Sequence, residues 1–118
     1  MSEETTATVM NQFGNAFAWH DPSLLEGLLA EDCILENTGP APDGARYVGR
    51  DDCLAFWSAI ARNEQLTFET EETWIAEDRA VRRWRLRWGP GEDETVRGVN
   101  LMRLRDGRIV EAMGYVKG

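Results

Sequence analysis

Two carboxamides interrupt strand patterns that are otherwise apolar. Asn37 closes the run Cys33-Ile34-Leu35-Glu36-Asn37, and Asn100 sits at the centre of the face formed by Val96, Gly98, Asn100, Met102 and Leu104. An amide has no useful pKa and cannot act as a general base. It can donate to a developing oxyanion or orient a carbonyl, or it can satisfy backbone groups in a core. Proton transfer would need a titratable partner, and the candidates are Glu36, Glu72, Glu111, Tyr47 and Tyr115. A carboxyl placed in an apolar pocket has its pKa raised toward neutrality and can serve as acid or base. Asn100, Asn37 and Glu72 are therefore the expected chemical set, with Glu36 as the other proton carrier.

Other chemistries are excluded by inventory. The single histidine, His20, precedes Asp21-Pro22 at a helix end and reads as a solvated loop residue. With Ser2, Ser23 and Ser58 the only serines, a Ser-His-Asp arrangement is not expected. One His and the distant Cys33 and Cys53 do not make a metal site, and both cysteines read as reduced, buried small hydrophobes. No glycine-rich phosphate loop or dinucleotide fingerprint follows a strand, so no cofactor is expected.

The strand around Arg79–Trp88 separates Arg83, Arg85 and Arg87 from Trp84, Leu86 and Trp88. Cross-strand pairs with Glu69 and Glu71 account for those arginines on an outer surface; the other reading is an arginine-lined cavity for an anion. Phe13, Phe17, Trp57, Trp74, Trp84 and Trp88 lie on apolar stripes, and so many large rings favour an apolar pocket between helices and sheet.

The elements that must position these residues follow from periodicity. Val9, Phe13 and Phe17 repeat every four residues, predicting a helix from about Glu4 to Ala18. Asp21 as N-cap and Pro22 as first residue predict a second helix carrying Leu24, Leu25, Leu28 and Leu29. Cys33–Asn37 reads as a short strand. Thr38 to Gly49, with three Gly and two Pro, reads as a loop with a short strand near Arg46–Val48. A third helix spans Arg50 to Asn63. The period then becomes two, predicting strands near Thr67–Ala76, Ala80–Trp88, Thr95–Arg105 and Arg108–Lys117. The last pair is joined by Asp106-Gly107, a dipeptide that tolerates the positive φ of a tight hairpin. Three helices and a four-stranded meander predict an α+β fold whose curled sheet leaves a concave interior for a small molecule.

Composition sets the outer bounds. The chain has 118 residues, enough for one domain, and five Trp with 42% hydrophobic residues suit a packed core. A net charge of −8 argues against nucleic acid and membrane surfaces as partners. No apolar run is long enough to span a membrane, and the acidic start lacks the positive charge of a signal peptide. A cytoplasmic protein is expected.

Three segments taken in order resemble the NTF2-like superfamily, and within it the SnoaL-like and ketosteroid-isomerase-like proteins. They are FGNAFAWHDPSLLEGLLAEDCILEN, GARYVGRDDCLAFW and VRGVNLMRLRDGRIVEAMGYV. The resemblance covers nearly the whole chain. It implies a cone of three N-terminal helices packed on a strongly curved, mainly antiparallel sheet. It further implies that Phe17, Trp57 and the even face of the Thr95 strand, Met102 included, line the cavity, with Ala112, Gly114 and Val116 from the final strand. Phe13 and Trp74 join this substrate-binding set through their apolar stripes. Glu111, Met113 and Tyr115 then face outward, where relatives commonly pair, so a homodimer through the outer sheet face is expected.

The same resemblance argues against ketosteroid isomerase activity. The general-base Asp of those enzymes corresponds to Asn37, their protonated oxyanion-hole Asp to Asn100, and their phenolic donor to Phe13. The aromatic-Asp pair of polyketide cyclases falls on Met113-Gly114, and the Asp-Arg-Asp set of limonene-epoxide hydrolases has no match, because Arg97 and Asn100 face opposite ways. The function implied is small-molecule binding. It would serve either cofactor-independent isomerisation, cyclisation or hydration of a small hydrophobic substrate, or a non-catalytic ligand-binding role.

Overall fold

The computed structural model describes residues 3–117. Helix α1 (Glu3–Ala18) buries Val9, Phe13 and Phe17, the stripe set by four-residue spacing. A single 310 turn (Pro22–Leu25) follows, and strand β1 (Leu29–Glu36) leads through a loop to β2 (Arg46–Val48). Helix α2 (Arg50–Arg62) begins after Gly49, with Asp51 and Asp52 in its first turn and Arg62 in its last, each charge matched to the helix dipole. Strands β3 (Thr67–Ala76), β4 (Arg79–Arg87), β5 (Thr95–Arg105) and β6 (Arg108–Val116) complete the chain. The turn between β5 and β6 uses positive φ at both Asp106 (53°) and Gly107 (78°), as the hairpin requires.

The strands form one six-stranded sheet in the order β2-β1-β6-β5-β4-β3. β3 to β6 make an antiparallel meander, while β1 joins β6 in parallel. The expected architecture is corrected in two respects. Among the described residues there are two α-helices rather than three, because the Leu24–Leu29 segment stops after one turn: Glu26 is extended and Gly27 takes φ +81°. Asp21 still caps that turn, accepting from the Ser23 N–H at 3.1 Å, and Leu25, Leu28 and Leu29 are still buried. The sheet is also not the strongly curled cone expected. The cavity lies between its inner face and residues of the two helices, Phe13, Phe17, Phe56, Trp57 and Ile60.

The packing that matters most for the site is that of α1 on β3 and β4. A Cβ on Gly14 would lie 3.1 Å from Thr70 Oγ1 and 3.6 Å from Arg82 Nε, so the missing side chain lets the helix lie directly on this strand pair. Gly98 on β5 does the same for an aromatic ring. A Cβ there would sit 2.5 Å from the Trp84 ring, so the indole lies flat against β5.

Candidate functional site

A cavity of about 150 Å3 lies between α1, α2 and the inner face of the sheet. Its wall is a relay of edge-on rings. Centroid distances are 5.0 Å for Trp57–Phe13, 5.0 Å for Phe13–Phe17, 5.5 Å for Phe17–Phe68 and 5.6 Å for Phe68–Trp84. Such tilted contacts set the ring edges against neighbouring faces and hold each ring in one orientation. Phe13, Phe17, Trp57 and Trp84 are buried, whereas Phe56, Ile60 and Leu66 are half-buried and Thr38 is exposed, which puts the mouth on that side. An apolar cavity of this volume accepts a single six-membered ring.

Five polar residues line it: Glu36, Asn37, Thr38, Arg82 and Asn100. Asn100 Oδ1 accepts the Trp84 indole N–H at 3.0 Å. An indole nitrogen can only donate, so the oxygen must face it and the amide's NH2 end is left to donate elsewhere. Asn37, whose backbone N–H bonds Ala45 O at 2.8 Å, is held at the loop entry. Glu36, the one acid among the lining residues, is paired with Arg46 at 2.8 Å.

Arg82 is the residue that sequence reasoning missed. It is only 2% exposed, and its guanidinium lies over the rings of Phe13 (5.6 Å) and Phe17 (5.9 Å). Its Nε donates to Thr70 Oγ1 at 3.1 Å, but Nη2 is buried with no hydrogen-bond partner among the described residues. No carboxylate among them pairs with it either. Burial alone pulls its pKa down from the usual arginine range to about 10, so at neutral pH it remains a cation without a counterion. The signal was present in the sequence. Ala80, Arg82, Trp84 and Leu86 share one face of β4, a lone charge on an apolar stripe.

The other arginines take the opposite face. Arg83 pairs with Glu72 at 3.3 Å, Arg85 donates to Thr95 at 3.4 Å, and Arg97 grips Glu71 at 2.9 and 2.8 Å. The cavity lined by Arg83, Arg85 and Arg87 is therefore ruled out in favour of outer-face pairs.

Of the expected site residues, Asn37, Asn100, Phe13, Phe17, Trp57, Ala112 and Gly114 lie around the cavity, and four do not. Glu72 and Trp74 are displaced by a β-bulge between Thr70 and Glu72. Glu71 is the extra residue, and a one-residue slip sends every following side chain to the other face. Glu72 thus stands opposite Arg83 on the outer surface and accepts the Trp74 indole N–H, while Trp74 is 54% exposed. Met102 does point inward, but its cross-strand neighbours are Ala80 and Ala112, and its long side chain fills the core between them at 3% exposure. Val116 lies opposite Gly98 at the end of β6, where the wall stops; it is 41% exposed beside Arg97 and Tyr115. On the outer face Glu111 stands opposite Arg103, Met113 opposite Leu101 and Tyr115 opposite Val99.

The remaining titratable candidates lie off the cavity. Burial pushes the Cys33 thiol far up, and Cys53, also pushed up by burial, donates weakly to Cys33 O at 3.5 Å. His20 uses Nδ1 to reach Ala61 O at 3.0 Å, tying the end of α1 to that of α2. No group of three metal-ligating side chains occurs among the described residues.

Residues 10–112 match the SnoaL-like domain family. The chain belongs to that family. Among solved structures, this SnoaL-like domain is similar to an NTF2-like protein of unknown function from Mesorhizobium loti. The two share 56% identity over 98% of this chain and 93% of that one, with a TM-score of 0.91. A candidate ketosteroid isomerase from Kribbella flavida matches at 20% identity, covering 98% and 79% of the two chains with a TM-score of 0.81. A candidate polyketide cyclase from Sinorhizobium meliloti matches at 23% identity, covering 91% and 93% with a TM-score of 0.72. These last two likenesses show the NTF2-like fold. No curated protein matches the sequence. No described helix of this SnoaL-like domain is long and apolar enough to cross a membrane.

Proposed function

We propose that this SnoaL-like domain binds one small, mainly apolar molecule in the cavity between α1, α2 and the sheet, and that it does so as a ligand-binding domain. The observation that carries this reading is the polar lining. It offers hydrogen-bond donors from Asn100 and Arg82 at the base of an aromatic wall, while its one carboxylate, Glu36, is tied to Arg46. Donors without a free base suit holding a ligand oxygen better than moving a proton. Asn100 and Asn37 are assigned to that oxygen, with Phe13, Phe17 and Trp57 around the ligand body. The isomerase or cyclase reading draws on the names of the Kribbella and Sinorhizobium relatives. It would have to use Glu36 as the proton carrier, since Glu72 faces outward.

Calorimetric titration with benzamide, a neutral ring carrying one carbonyl, tests the binding reading. Saturable one-to-one binding that is lost in Gly114→Leu, a side chain grown from the cavity wall, is expected. No heat at any accessible concentration would refute it.

We also infer a homodimer through the outer sheet face, where Trp74 (54%) on β3, Leu101 (43%) on β5 and Tyr115 (56%) on β6 are exposed. Light scattering should give a dimer mass at micromolar concentration and a monomer mass for Leu101→Asp. A wild-type monomer would end that reading.

A further inference from the structure

We propose that the ligand of this cavity is a monoanionic acid, a carboxylate on a body about the size of one ring, and that Arg82 is the residue that receives the carboxylate. The inference rests on the binding reading above and narrows it to one class of ligand.

Three observations carry it. Arg82 is a cation taken out of water without an anion: 2% exposed, unpaired, and with Nη2 lacking any acceptor among the described residues. A buried charge of this kind is costly to keep unless something compensates it, and the groups set against this guanidinium, the faces of Phe13 and Phe17 and the Thr70 hydroxyl, carry no net negative charge. Second, it lines the cavity, and its cross-strand partner on β5 is Asn100, whose oxygen is committed to Trp84. The two side chains therefore offer N–H donors side by side from adjacent strands, and a carboxylate has two acceptor oxygens to meet them. Third, the one acid in the lining, Glu36, is neutralised by Arg46, so the lining carries no free negative charge against an entering anion. The aromatic wall accounts for the rest of the ligand. Thr70 and Gly14 complete the arrangement by fixing the guanidinium: Thr70 accepts from Nε, and the absent Gly14 side chain leaves room for that contact.

Benzoate and benzamide share shape and ring and differ in charge, which makes them the deciding pair. In calorimetric titration, benzoate should bind the wild-type domain at least about tenfold more tightly than benzamide. In Arg82→Met that preference should vanish, with benzoate weakened by about tenfold or more and benzamide changed by less than about threefold. Arg82→Lys should keep part of the preference for the acid. Should Arg82→Met not fold, the wild-type comparison alone decides. Benzamide binding as tightly as benzoate would overturn the anion inference and leave the apolar-ligand reading standing. Failure of both probes to bind would overturn the two together.

Discussion

Replacing Arg82 by Met removes the guanidinium while keeping a long, flexible apolar stem in the same space. The fall of the Arg82 pKa from the usual arginine range to about 10 corresponds to about 3 kcal/mol spent on holding the charged form away from water. Against that stands the hydrogen bond to Thr70, about 2 kcal/mol for a charged donor. The rings of Phe13 and Phe17 add about 1 kcal/mol of cation–π attraction. The terms nearly cancel, so Arg82→Met should leave stability within about 1 kcal/mol of wild type. Arg82→Ala, which also empties the space, should lose about 2 kcal/mol or more. Urea unfolding followed by tryptophan fluorescence gives both numbers, provided the slope with denaturant is unchanged. Benzoate at a hundred times its wild-type Kd should then stabilise the wild type by about 2.7 kcal/mol and Arg82→Met by about 1.4 kcal/mol or less. A loss above about 3 kcal/mol for Arg82→Met would show that the cation is held by more than Thr70 and the two rings, leaving no need for an external anion, and the reasoning would fail.

Two further outcomes follow from the scaffold. Arg97 beside Glu71 holds that carboxyl below its ordinary 4.5, so the unfolded chain takes up its proton first as pH drops. The stability gained from this pair is present above the ordinary value of 4.5 and fades as pH falls below it toward the lower folded value; Glu71→Gln should therefore flatten the loss of stability as pH drops below about 4.5. Gly98→Ala would drive a methyl into the Trp84 ring at 2.5 Å and into Tyr115 O at 2.5 Å. It should cost about 1–3 kcal/mol in urea unfolding and weaken benzamide binding, because Trp84 orients Asn100.

Much of this scaffold was legible in the residues, and the failures are local. The bounds of β3 and β5 follow from period-two patterning and flanking turns, β2 is the short strand expected inside the Gly- and Pro-rich loop, and α1 and α2 follow from their apolar stripes. The leucine segment after Pro22 has helical spacing, yet Gly27 ends it after one turn, a tertiary choice that places Leu28 and Leu29 in the core. The bulge at Glu71 left no mark in the pattern. Glu71 and Glu72 are chemically alike, so nothing signals which of them is the extra residue, and the faces of Glu72 and Trp74 were assigned on the wrong parity. The face of β5 carrying Asn100 has no such slip across its pairing with β4, so Asn100 stays on the side of the cavity. Arg82 was hidden by company: four arginines crowd β4 between Arg82 and Arg87, and the three odd-numbered ones have an evident surface role.

The central claim, a cavity that holds a small acid on Arg82 and Asn100, is tested most directly by nitrogen-resolved NMR with benzoate. The Arg82 Nε–H, the Asn100 side-chain NH2 and the Trp84 indole N–H should shift together, saturably, with one dissociation constant. Shifts confined to the outer-face arginines Arg83 and Arg97, with Arg82 unmoved, would contradict it.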